Sequence, residues 1–143
     1  MRLPASPAKK LAIVTCMDSR LDPNRILGIE QGDAHLIRNA GGVVTEEEIR
    51  SLAISQHMLG TREIVLIQHT DCGLLKFTDE EFAARLENEA GQRPGFEAHA
   101  FTDLDESLRH SIEKIEQCPF IPNKDSVRGF VYEVESSRLR EVE

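Results

Sequence analysis

Cys16, His69 and Cys72 are the residues of this sequence whose types and spacing best suit chemistry. A His-x-x-Cys interval lets a single turn present an imidazole and a thiol to one point, while Cys16 must arrive from another part of the chain. Two thiolates and an imidazole suit Zn²⁺, a borderline-soft ion that accepts a tetrahedral arrangement. Three protein ligands leave a fourth position for water, the pattern of a catalytic rather than a structural zinc. Two other readings fit the same residues. Cys16 and Cys72 could be small buried hydrophobes beside a hydrogen-bonded core histidine, or a cysteine could be a nucleophile activated by His69. Spacing alone does not choose among the three.

Asp18 and Arg20 lie two residues apart, so on extended backbone both point to one side and a bidentate ion pair can form. The alternative is a solvated surface pair of little energetic weight. The segment Arg38-Asn39-Ala40-Gly41-Gly42 carries two glycines at a place where a bulky side chain or an ordinary φ does not fit. A phosphate cradle there is opposed by Glu46, Glu47 and Glu48 in the following helical turn and by the lack of a P-loop lysine. Asp71 reads as an Asx-type turn cap, and Cys118, before Pro119, as a helix-end packing residue. His35, His57, His99 and His110 read as surface or packing histidines.

These residues need elements to position them. Leu11–Thr15 is an apolar, β-branched run of the kind buried on both faces of a parallel sheet, and it ends at Cys16. Asp22 caps a helix with Pro23 at its first position, and Gly32 closes that segment. Ala34–Ile37 is a second strand leading into the glycines. Thr45 and Glu48 form a capping box for a helix that runs to Gly60. Arg62–Gln68 is a third strand entering His69. A second capping box, Thr78 with Glu81, opens a helix carrying Phe82 and Leu86 and ending near Gly91. Residues 91–101 form a loop, Leu104–Ile115 a helix, and Val127–Val134 a late strand followed by an exposed charged tail. Residues 1–10 read as a short leader without a fold of its own, and 11–143 as one domain. Strands alternating with helices specify an α/β domain with a mainly parallel sheet. The polar clusters at 16–20, 38–42 and 69–73 all follow strands, so they share the carboxyl edge of that sheet, where open α/β sheets bind ligands.

Composition narrows the partners. Seventeen Lys and Arg against 25 Asp and Glu give a net charge of −8, which opposes binding to nucleic acid or to an anionic membrane surface. The longest purely apolar runs, Leu11–Val14 and Ile64–Ile67, are far too short to span a bilayer. Three cysteines are too few, and odd in number, for a disulfide scaffold, and suit a reducing cytoplasm.

Cys-x-Asp-x-Arg at 16–20, RNAGG at 38–42 and His-x-x-Cys-Gly at 69–73, in this order and at these intervals, resemble the β-class carbonic anhydrases. The similarity runs from Leu11 to about Val134. It implies a single-domain α/β fold with a mainly parallel central sheet flanked by helices, and a zinc ion held by Cys16, His69 and Cys72. It implies reversible hydration of CO₂ to bicarbonate and a proton by attack of zinc-bound hydroxide, with Asp18 orienting the hydroxide, Arg20 fixing Asp18, and Gly41 and Gly42 lining the substrate cleft. Zinc lowers the pKa of its water to about 7 in the three-histidine carbonic anhydrase site; two thiolates work against that acidification, which gives the carboxylate a role. The resemblance also admits a closed state, expected at low pH, in which Asp18 becomes a fourth ligand. It implies a homodimer or higher even oligomer. About ten residues precede the first strand, fewer than the helical arm many relatives carry, and the chain has no tryptophan, so a Trp-Arg-Tyr bicarbonate pocket is not expected. Two alternatives accompany it: hydrolysis of carbonyl sulfide or carbon disulfide at the same zinc, and a catalytically silent, zinc-stabilised interaction domain.

Overall fold

Alternation of Ile64 and Leu66 with Val65 and Ile67 sends successive side chains of one strand into two separate apolar layers. That strand, β3 (Glu63–His69), lies at the centre of the computed structural model, which describes residues 2–143. Five strands form one sheet in the order β2-β1-β3-β4-β5, with β1 at Leu11–Cys16, β2 at Ala34–Asn39, β4 at Val127–Glu133 and β5 at Arg138–Val142. The first four are mutually parallel, and β5 is antiparallel to β4. The chain steps from β1 outward to β2 and then returns to the other side of β1 for β3. The crevice between the ends of β1 and β3 is therefore the topological switch point, where ligands of open α/β sheets bind. Cys16 ends β1 and His69 ends β3.

Helices α2 (Glu46–Leu59) and α4 (Leu104–Glu116) cover one face through Leu52, Leu108 and Ile115, which pack on Ala12, Val14, Leu66 and Val131. The other face buries Ile13 and Ile67 against Leu21, Leu74 and the short helix α1 (Pro23–Leu27). Each fully buried Ile or Leu side chain contributes roughly 1.5–3 kcal/mol of transfer free energy.

Several sequence expectations are corrected. Helix α1 ends at Gly28, in the left-handed region with φ 68°, and not at Gly32, which lies in the turn before β2. The charged tail is no exposed appendage: it pairs with β4 as β5 and buries Val142 in the core. Among the described residues, 2–10 contain neither helix nor strand, but Pro7 is buried and the Ala8 and Lys9 N–H groups each donate over 2.9 Å to Gly32 and Asp33 carbonyls. Helix α3 (Asp79–Ala90) begins with Thr78 accepting from the Glu81 N–H, half of the expected box, and none of its residues is buried. At α2 the buried Glu48 carboxylate does accept the Thr45 N–H at 2.9 Å, and the Thr45 hydroxyl bonds the same oxygen.

Candidate metal centre

β1 and β3 deliver Cys16 and His69 to one edge of the sheet, and the turn after β3 brings back Cys72. Their ligand atoms lie within 4.8 Å of one another, and all three residues are buried. Thr15 ties the two strand ends together by donating its hydroxyl to the Ile67 carbonyl at 2.9 Å.

The His69 ring is oriented for coordination. Nδ1 lies 2.7 Å from the Thr70 carbonyl oxygen, so the proton is assigned to Nδ1, which donates to that carbonyl. Nε2 then presents its lone pair inward, buried and without a hydrogen-bond partner among the described residues. An orphaned buried acceptor costs free energy unless something binds it. A metal ion meets that need, and two sulfurs beside the nitrogen make a donor set that fits zinc. The Cys16 sulfur also accepts the Gly41 N–H at 3.3 Å.

The two thiols share a proton unequally. Donation from Cys72 pulls the Cys16 thiol well below the ordinary thiol range, against its burial, with help from His69 and from the Asp18 and Gly41 backbone. Cys72 is pushed up by the same contact and by burial. Burial works against a cationic His69, yet the Cys16 sulfur, the Thr70 carbonyl and Asp18 together raise it.

Asp18 and Arg20 form the expected fork. Arg20 Nε donates to Asp18 Oδ1 at 3.0 Å and Nη2 to Oδ2 at 2.8 Å, and the Arg20 backbone N–H adds 2.8 Å to Oδ1. The guanidinium holds the Asp18 carboxyl far below the usual carboxylate range, so it is ionised and can only accept hydrogen bonds.

Two residues of this site escaped sequence reasoning. Arg38 stitches the loop after β1: Nε donates to the Cys16 carbonyl at 3.0 Å, and Nη2 to the Asp18 and Leu21 carbonyls at 2.8 and 3.2 Å. Asp71, expected as an Asx cap, instead takes Arg20 Nη1 at 3.0 Å and Lys76 Nζ at 2.9 Å. The signal for Arg38 was its place in RNAGG; Asp71 had none beyond lying between two candidate ligands. Gly41 and Gly42 are buried, and the space left by their missing side chains is taken by protein atoms. A Cβ on Gly42 (φ 67°) would lie 3.0 Å from Cys16 N and Ile67 O, and one on Gly41 (φ 86°) 2.5 Å from Leu74 Cδ2. Gly42 thus lets the loop seat against β1 and β3, and Gly41 lets it seat against Leu74.

His35 and His57 bond Ser55 and the Phe120 carbonyl, away from the cluster, and Cys118 packs at the edge of the core. A cavity of about 570 Å³ between α2 and the loop at 96–99 contains none of the three ligands. Donor geometry, not cavity size, locates the chemistry.

The carbonic anhydrase family profile matches residues 11–139, and Beta-carbonic anhydrase 1 of Mycobacterium tuberculosis is 53% identical over 98% of this chain and 86% of its own length. The chain belongs to the β-carbonic anhydrase family. Among solved members, the carbonic anhydrase of Streptococcus mutans superposes with a TM-score of 0.94 at 45% identity, covering 100% of this chain and 87% of that one. Carbon disulfide hydrolase of Acidianus is also a relative, 35% identical over 92% of this chain and 76% of its own. The mainly parallel sheet with flanking helices matches that of the Streptococcus mutans structure. No described helix is long and apolar enough to cross a membrane.

Proposed function

We propose that the protein hydrates CO₂ reversibly to bicarbonate and a proton, using zinc held by Cys16, His69 and Cys72. The observation that carries this is the convergence of two sulfurs and an orphaned imidazole nitrogen within 4.8 Å, with an ionised Asp18 beside them. Zinc in such a site supplies Lewis acidity that makes hydroxide available near neutral pH.

The chain's own residues do the rest. Cys16 and Cys72, both ionised as ligands, balance a dication, so the donor set adds no net charge to the reacting groups. The Thr70 carbonyl fixes the His69 tautomer and keeps Nε2 aimed inward. Asp18, able only to accept, takes the proton side of the attacking oxygen and leaves its lone pair facing the carbon of CO₂. Arg20 engages both Asp18 oxygens and so fixes the plane of that carboxylate. Gly41 and Gly42 line the substrate cleft in this reading, and their missing side chains let the 38–42 loop approach Cys16. Release of Asp18 from Arg20 is the movement a closed state with Asp18 as fourth ligand requires.

The test combines zinc content with stopped-flow CO₂ hydration. About one zinc per chain with rapid hydration supports the proposal; bound zinc without hydration leaves the silent, zinc-stabilised module. Similarity to carbon disulfide hydrolases favours a second reading, turnover of CS₂ or COS at the same donors, and comparing the three substrates on one preparation separates it from the first. The protein is further proposed to act in the cytoplasm, supported by three free cysteines, and to form a homodimer or higher even oligomer. Exposed Leu36 on edge strand β2 and Ile54 and Met58 on α2 support the latter, and light scattering measures it.

A further inference from the structure

Arg20 is gripped from two sides. Nε and Nη2 face Asp18, while Nη1 donates to Asp71 Oδ2 at 3.0 Å and Nη2 also reaches the Asp71 carbonyl at 2.9 Å. Asp71 therefore binds the guanidinium through its side chain and its backbone together. Its second carboxylate oxygen is taken by Lys76 Nζ at 2.9 Å, which sets the plane of the group. The residue sits between His69 and Cys72 with φ 54°, in the left-handed region that Asp tolerates better than most residues.

We propose that Asp71 is a positioning residue: it clamps Arg20 from the side opposite Asp18, and so fixes the Asp18 carboxylate relative to Cys16, His69 and Cys72. The contact also joins the two ligand-bearing segments, the loop after β1 and the turn after β3. Asp71, Arg20 and Lys76 are all roughly half exposed, and ion pairs of that kind stabilise a fold little. What the contact restricts is direction. A guanidinium held on one side only can pivot on its long side chain and carry Asp18 with it. Held on both sides, it leaves the carboxylate one orientation.

The inference rests on the zinc-dependent hydration proposed above, and its test has one arm that does not. Asp71→Gly removes the carboxylate while accepting φ 54° without strain; Asp71→Asn keeps a neutral acceptor and is the second variant. In Asp71→Gly, kcat for CO₂ hydration is expected to fall roughly tenfold, with KM changed less than about twofold and zinc content unchanged. Asp71→Asn falls between. Because Asp71 acts through Arg20, the double variant Asp71→Gly/Arg20→Ala is expected to be no slower than Arg20→Ala alone. The independent arm is the NMR signal of the Arg20 Nε–H in the protein as purified, sharp and slowly exchanging in the wild type and broadened in Asp71→Gly. Additive losses, or an unchanged rate and an unchanged Nε–H signal, overturn the proposal. If the wild type proves unable to hydrate CO₂, the functional reading falls, and the Nε–H signal alone decides whether Asp71 positions Arg20.

Discussion

Oδ2 of Asp18 lies 3.6 Å from Nε2 of His69, close enough to act on the same small volume and too far for a direct hydrogen bond. The carboxylate is turned to Arg20 while the imidazole nitrogen is left to the two sulfurs. One acceptor thus stands beside the candidate metal ligands without being used up by them, which a metal-assisted hydration requires.

Removing that acceptor should cost rate and little else. Asp18→Asn and Arg20→Ala are each expected to lower kcat roughly 10–100-fold, with about one zinc per chain retained. Stopped-flow hydration and metal analysis on the same samples check this, and loss of zinc in step with activity would assign Asp18 to the metal site itself.

Zinc uptake should release protons. At pH 7 the raised Cys72 thiol is protonated, whereas Cys16 is already ionised. Binding is therefore expected to release about one proton per zinc from Cys72, and affinity to fall as pH drops. Calorimetry in buffers of different ionisation enthalpy measures the number. Zero release contradicts the donor set.

Gly42→Ala should destabilise the fold by about 2–4 kcal/mol, combining strain at φ 67° with overpacking. The new Cβ meets Cys16 N, Ile67 O and the Thr15 carbonyl carbon at 3.0 Å, all backbone atoms with little room to yield. Weakened zinc binding is expected alongside, since Cys16 is the residue displaced. Urea unfolding with wild-type stability would show that the loop can lift away.

The docked tail carries an acid-sensitive clasp. Arg140 pairs with Asp105 on α4 through contacts of 2.8 and 3.1 Å, and it holds the Asp105 carboxyl below its ordinary value. A depressed folded-state pKa gives stability that is fully present above the unfolded value of about 4 and is lost as pH falls through the folded one. With both partners partly exposed, the contribution is at most about 1 kcal/mol. Wild type should therefore melt slightly higher than Asp105→Asn at pH 7, with the gap closing in acid. A gap that stays constant down to pH 2 assigns the effect to something other than the charge.

Much of this arrangement was legible in the chain because it is local. LAIVT, REIVLIQ and VRGFVYEV state their strands through β-branched apolar runs, and Asp22-Pro23 and Thr45 with Glu48 state where helices begin. The tail was misread for the converse reason: Arg138–Val142 is mostly charged, and only pairing with β4 makes it a strand. Gly28 rather than Gly32 ends α1 because the helix closes as soon as a residue can enter the left-handed region.

Residue types and intervals by themselves singled out Cys16, His69 and Cys72 as candidate donors, the Asp18-Arg20 pair two residues apart, and the strand ends that carry them. Those depend on side-chain chemistry and on periodicities of two and 3.6, which a linear chain displays. Only the tertiary structure decided that Arg38 braces the loop after β1, that Asp71 grips Arg20 across 51 positions, and that Gly42 yields its side-chain space to two strands. Each of these is a contact between segments brought together by the strand order β2-β1-β3, and no local pattern encodes which distant backbone atoms will come within 3 Å of a given residue.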